Sequence, residues 1–187
     1  MKIKRLELQN FRSASKIAFD FTSQLNLFVG VNGSGKSTVL DALSICLSWL
    51  VKRIEQENVW GSDIPVSSLR NNQIQGYLNI HVTEKNTSYR WLVTKTKGRT
   101  FNPESQLGSL DKLAQAIKTP HEQDISLPVI VYYPVNRTVE TVRPEIPNRN
   151  TIYNLDGYEN SLSGKADYQS FFEWFRVQDD KKKKKAM

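Results

Sequence analysis

The chain has 187 residues and a formal net charge of +7. That length holds one domain with a core of its own, or one with an appendage. Lys181 to Lys185 carry five of the seven charges, leaving +2 on the other 182 residues, so the basic balance does not by itself predict a nucleic-acid-binding face. No apolar run approaches the roughly 18 residues that a bilayer span requires. The N-terminus, MKIKRLELQNF, alternates charges with single apolar residues and holds no apolar signal core, which makes a cytoplasmic protein the expectation. A single cysteine, Cys46, excludes an internal disulfide and a cysteine-based metal cluster. It falls in an apolar helical pattern and reads as a small core residue.

Ile3, Leu6 and Leu8 open the chain as a strand closed by a QNFR turn. Ile17, Phe19 and Phe21 alternate in KIAFDF and predict a second strand with one buried face. QLNLFVG reads as a third, more apolar strand, of the kind that lies in the centre of a covered sheet. A helix is predicted from about Lys36, because Val39, Leu40, Leu43, Cys46, Leu47, Leu50, Val51 and Ile54 recur at three- and four-residue steps. It fades in EQENVWGSDIP, where Gly61 and Pro65 mark a loop.

Leu78, Ile80 and Val82 alternate, and so do Tyr89, Trp91 and Val93 beyond TEKNTS. Together they predict a β-hairpin. A short helix follows with Ser109 as its N-cap and Leu110, Leu113 and Ile117 on one side. LPVIVYYPV, bounded by prolines, reads as a buried strand. Residues 136–166 are rich in Asn, Pro, Gly and Ser and read as a long loop. YQSFFEWFRVQ, within 167–180, reads as a short aromatic helix, and 181–187 form a lysine-rich tail. Residues 1–135 are then one α/β lobe with a phosphate-loop motif at a strand-to-helix junction.

That motif carries the chemistry. Gly30, Gly35, Lys36 and Ser37 satisfy G-x-x-x-x-G-K-[ST]. A loop that wraps a phosphate with successive backbone N–H groups needs glycine where a Cβ would collide. The helix beginning at Lys36 aims its positive end at the same place. The Lys36 ammonium suits the β- and γ-phosphates and the Ser37 hydroxyl suits Mg²⁺. Asn32 and Gly33 fit the turn because both tolerate positive φ. Asn32, Gly33, Ser34, Gly35, Lys36, Ser37 and Thr38 are therefore the expected ATP-binding residues, with Lys36 catalytic and Ser37 the metal ligand.

GVNGSGKSTVLDAL, with Asn-Gly inside the loop, resembles the head domain of SMC, Rad50/SbcC and RecF-type ABC ATPases. IKRLELQNFRS…IAFDF resembles the first two strands of the same heads. LSWLVKRI, VIVYYPVNRTV and FFEWFR resemble the ATPase subunit of Septu-type, retron-associated anti-phage defence systems. The resemblance implies an N-terminal lobe with a mixed sheet and a β-hairpin. It puts Phe11 and Arg12 beside the nucleotide and makes ATP and Mg²⁺ the ligands. It also implies a homodimer or larger assembly, and it admits a nuclease subunit and DNA as partners.

The same resemblance asks for a Walker B strand, a signature motif, a glutamine loop and a switch histidine. Asp156 in TIYNLDGYEN follows an interrupted strand pattern, and Asp179–Asp180 follow a helix-like one, so neither fits Walker B. Leu162-Ser163-Gly164 reads as a polar loop, since only a lysine tail follows it. Asn136 and Arg137 stand where a glutamine is expected. His81 and His121 read as solvated. The pattern is that of an N-terminal half, with the lysine run as an altered frame or an artificial end. Hydrolysis would then need an acid from elsewhere. The alternatives are a nucleotide-binding regulator that does not hydrolyse, and a DNA-binding module. The last would use Arg90, Lys95, Lys97 and Arg99 interleaved with Tyr89 and Trp91.

Overall fold

A computed structural model of the chain describes residues 1–22, 24–57, 59–100, 105–118, 127–135, 154–158, 161–162 and 175–176. The chain divides into two compact units, Met1–Pro128 and Val129–Met187.

The first unit is built on four strands, β1 (Lys2–Phe11), β2 (Ala14–Asp20), β3 (Gln75–Glu84) and β4 (Thr87–Thr96), in the order β2-β1-β3-β4. Every pairing is antiparallel, so the expected mixed sheet is antiparallel among the described residues. The hairpin turns on Lys85 and Asn86, both at positive φ (45° and 67°), the twist that a two-residue connection requires. The predicted TEKNTS gap therefore shrinks to two residues, because the ladder runs on to Glu84↔Thr87.

Alternation decides the faces. Leu6, Leu8, Leu78, Ile80, Val82, Trp91 and Val93 are all buried, and they face α1 (Lys36–Glu55) and α2 (Gly108–Lys118). Helix α1 contributes Val39, Ala42, Cys46, Trp49, Leu50, Val51 and Ile54 to that core. Trp91 Nε1–H donates to the Cys46 carbonyl oxygen at 3.1 Å, which keeps the polar edge of a fully buried indole satisfied. Burial pushes the Cys46 thiol well above the ordinary range, so it is an inert core residue, as expected. Ser109 proves not to be an N-cap. It lies inside α2, and its Oγ accepts the Arg90 N–H at 3.0 Å.

Two predicted strands are absent from the sheet. Residues 24–30 pair with no strand, and Leu27, Val29 and Val31 are about four-fifths exposed. Only Phe28 turns inward, edge-on to Phe19 at 5.7 Å and to Phe21 at 6.3 Å. Residues 127–135 likewise carry no ladder, and Val129 and Val135 are about nine-tenths exposed. Both segments have strand-forming side chains. A strand, however, needs its backbone paired to a neighbouring edge as well as strand-forming side chains, and among the described residues neither segment joins a ladder.

In the second unit, Asn154–Tyr158 form a short 3-10 helix and Tyr132 N–H donates to the Ser161 carbonyl oxygen at 2.8 Å. Phe175 and Arg176 are helical, within the segment expected to be an aromatic helix. The rest of that segment, most of the 136–166 loop, and the lysine tail lie outside the described residues.

Candidate functional site

The candidate site is the junction between residues 30 and 38. Gly33 and Gly35 have φ of 84° and 92°, the left-handed region where a Cβ is strained and glycine is not. Asn32 does not share that conformation. Its expected role in the turn falls to Gly33 alone. Gly35 caps α1 with no side-chain hydrogen bond, and no acidic residue sits in the first turn. The leading N–H groups of a helix have no intrahelical partner. Here no side chain caps them, and the helix dipole adds positive character. Such an end is complementary to an anion.

Lys36 folds back over the loop. Its Nζ donates to the carbonyl oxygens of Gly30 at 2.7 Å and Val31 at 2.8 Å. The ammonium is thus held above the same turn whose amides lie at the helix start. Two carbonyl acceptors leave one of its three N–H groups for a ligand. Ser34 N–H closes the turn onto the Val31 carbonyl oxygen at 3.2 Å. Asn32, Ser34 and Ser37 are exposed, Lys36 is half-buried and Thr38 is buried. The Thr38 side chain therefore faces the protein, while the Ser37 hydroxyl faces solvent beside Lys36.

Phe11 and Arg12 occupy different surroundings. Phe11 is 1% exposed, so its ring is part of the core and offers no face to a ligand. What it positions is Arg12, whose guanidinium carbon lies 5.6 Å from the ring centroid. The backbone here is unusual, with Asn10 and Arg12 at φ of 52° and 53°. It is pinned by hydrogen bonds from Arg12 N–H to the Ser68 carbonyl oxygen (2.7 Å) and from Arg70 N–H to the Asn10 carbonyl oxygen (3.0 Å). Arg12 then reaches α1 through an ion pair with Asp41 (2.5 Å). Asp41 follows Ser37 by four residues, one turn along the same helix face. This carboxylate, which motif reading did not single out, ties the Arg12 turn to the start of α1.

The remaining sequence candidates separate. Asp156 falls within the 3-10 helix Asn154–Tyr158, not on a strand. Leu162 is described, but Ser163, Gly164, Asn136, Arg137, His121, Asp179 and Asp180 lie outside the described residues. Among the described residues no group of three His, Cys, Asp or Glu side chains could hold a metal, and no helix is long and apolar enough to cross a membrane. The basic hairpin pattern breaks up. Trp91 is fully buried, and Lys95 is 7% exposed and ion-paired with Asp63, so neither can stack on a base or meet a phosphate. His81 lines a cleft rather than open surface.

Comparison with known proteins matches the chain to a family model described as an AAA domain, over residues 5–187. The chain belongs to that family. Within it the relatives are Rad50-like, RecF-like and retron-associated ATPases. The chain is 28% identical to the retron Ec83 probable ATPase of Escherichia coli over 187 residues, 94% of this chain and 34% of the relative. It is 40% identical to the DNA replication and repair protein RecF of Leptospira interrogans over 91 residues, 46% of this chain and 25% of the relative. It is 49% identical to the DNA double-strand break repair Rad50 ATPase of Thermococcus kodakarensis over 49 residues, 26% of this chain and 6% of the relative. The chain thus spans about a third of the length of the retron relative that it matches along nearly its whole extent.

Proposed function

We propose that the chain is the ATP-binding lobe of a Rad50- and RecF-like ATPase. The observation that carries this reading is the uncapped start of α1 behind Gly33 and Gly35, with Lys36 clamped over the turn. In this reading the α1 amides and the backbone of residues 32–37 cradle the phosphates of ATP. Lys36 gives its remaining N–H to them, and Arg12 adds positive charge from the Asp41 side of the helix. The donor set suits Mg²⁺ at the Ser37 hydroxyl, where the ion would supply charge neutralisation of the phosphates. Binding energy spent on the phosphates positions the γ-phosphate and offsets its charge.

Hydrolysis needs a group that orients the attacking water. The described carboxylate nearest the loop on α1 is Asp41, and it is engaged by Arg12. Turnover is therefore proposed to require a carboxylate from elsewhere in the assembled ATPase, with the lobe alone binding without hydrolysing. The alignment to a retron ATPase along most of the chain, against partial alignment to repair proteins, favours anti-phage defence over repair as the setting. In that setting the assembly would be a dimer or larger, acting with a nuclease subunit and DNA.

Titration of the purified chain with a fluorescent ATP analogue and Mg²⁺ tests the reading. The wild-type chain is expected to bind. Lys36→Ala should weaken binding by about tenfold to 100-fold, since a charge-assisted hydrogen bond is worth ~1.5–3 kcal/mol. Equal affinity in the two proteins would overturn the proposal. Steady ATP hydrolysis by the isolated chain, lost in Lys36→Ala, would overturn the requirement for an outside carboxylate.

A further inference from the structure

A second concave site lies on the first unit, built by different elements from the loop at residues 30–38. It is a cleft of about 440 Å³ at the start of β4, where the segment leading into α2 crosses the sheet edge. Lys4, His81, Ser88, Tyr89, Arg90 and Ser109 are among its lining residues. None of the described residues lining it is acidic.

Three features suit this cleft to negative charge. The first is its pair of permanent cations. Among the described residues neither Lys4 nor Arg90 forms an ion pair, and the carboxylates of β1 and β3 have other partners. Glu84 holds the N-terminal ammonium at 2.5 Å, and Glu7 accepts from Arg5 at 2.7 Å and from Asn79 at 2.9 Å. The second is a β-bulge. Ile3 pairs with Val82 and Arg5 with His81, which leaves Lys4 as the extra residue of β1. A bulge re-aims a side chain relative to the regular pleat, and here the bulged residue is one of the two cations. The third is Ser109. Its Oγ accepts the Arg90 N–H, and a hydroxyl that accepts still has its own hydrogen to donate. One bond therefore joins α2 to the strand that bears the second cation and leaves a donor at the cleft.

We propose that this cleft binds the phosphate of a nucleotide unit, with Lys4 and Arg90 as the charged contacts, Ser109 as a neutral donor and the Tyr89 ring as a wall. A guanidinium and an ammonium together suit a phosphate, the first as a planar fork and the second as a compact charge. The volume falls within the roughly 300–1,000 Å³ of small-ligand sites, larger than a bare phosphate needs. His81 adds to the wall. Its imidazole is held below the ordinary value, first by desolvation, with Glu7 and Asp20 opposing and Arg90 and Arg5 reinforcing that shift, so it is a neutral partner near neutral pH. The phosphate could come from a free mononucleotide or from the 5′ end of a nucleic acid strand.

The test uses the full chain carrying Lys36→Ala, so that failure at the first loop and failure here are distinguishable. Calorimetric titration compares dTMP, a 5′-phosphorylated dT hexamer and the same hexamer without the phosphate. Phosphorylated probes are expected to bind at least about tenfold more tightly than the unphosphorylated hexamer, as charge-assisted contacts predict. Adding Lys4→Gln and Arg90→Gln should remove that preference, whereas Lys97→Gln, an exposed lysine on the same hairpin, should leave it. Backbone amide shifts in an NMR titration should centre on Lys4, His81, Arg90 and Ser109. Binding of both phosphorylated probes supports a free nucleotide as sufficient ligand, and binding of the hexamer alone supports a strand end. Equal binding with and without the phosphate, or affinity unchanged in the double substitution, overturns the proposal.

Discussion

The β3–β4 hairpin and the segment at residues 24–31 carry the same kind of pattern and reach opposite outcomes. Leu78, Ile80, Val82, Trp91 and Val93 alternate along their strands and are all buried. Leu27, Val29 and Val31 alternate as cleanly and are about four-fifths exposed. The hairpin brings its own partner strand, two residues away, and its register follows from that turn. The other segment runs into the phosphate-loop motif and joins no ladder, although its Phe28 packs edge-on against Phe19 of the terminal strand β2. Alternation therefore specifies which face of a strand is apolar. It does not specify whether that face meets anything.

Substitutions can sharpen this contrast. The largest effect is expected from Trp91→Ala, which empties a fully buried site and removes the indole N–H that reaches the Cys46 carbonyl. A loss of about 3–5 kcal/mol in denaturant unfolding is expected, typical of large-to-small changes in a core. A loss below about 1 kcal/mol would mean that the hairpin core is not packed as described.

A smaller effect separates the outer face of the same sheet from its core. The Glu7 carboxylate is held below its ordinary value, first by hydrogen bonding from Arg5 and then from Asn79. Its ionised form is favoured in the folded chain, so its contribution is present above the unfolded value of 4.5 and lost as pH falls through the lower folded value. Thermal melts between about pH 6 and pH 3 should show a smaller acid-induced drop in Tm for Glu7→Gln than for the wild type. Parallel curves would remove Glu7 from the acid response.

The smallest effect should come from Val29→Ser. An exposed substitution away from special features changes stability by within about 0.5 kcal/mol. A loss above about 1 kcal/mol, on the scale of burying or exposing a side chain of this size, would show that the segment gains a partner surface in solution.

The candidate site was legible to an unequal degree. Gly30, Gly33, Gly35, Lys36 and Ser37 could be read from spacing alone, because wrapping an anion with backbone N–H groups demands glycine at fixed offsets and a helix directly after. Asp41 could not be read in the same way. Its pairing with Arg12 joins residues 29 positions apart and depends on the left-handed turn at Asn10 and Arg12. Phe11 illustrates the converse. Family likeness set it beside the nucleotide, whereas its burial assigns the ring to the core and leaves Arg12 as the side chain facing outward. Lys95 and Trp91 looked like nucleic-acid contacts in sequence and were withdrawn by Asp63 and the Cys46 carbonyl, partners that only folding supplies.

By itself the sequence determined the local devices: the start of α1 near Lys36, the existence of a β-hairpin, the glycines of the loop, and which face of each strand is apolar. These follow from steric and hydrogen-bonding rules acting over a few residues. Tertiary structure alone decided which apolar faces find a partner, which cations are neutralised, and that Lys4 and Arg90 line one cleft though they stand 86 positions apart. Such outcomes depend on long-range pairing and burial, for which no short stretch of chain carries the information.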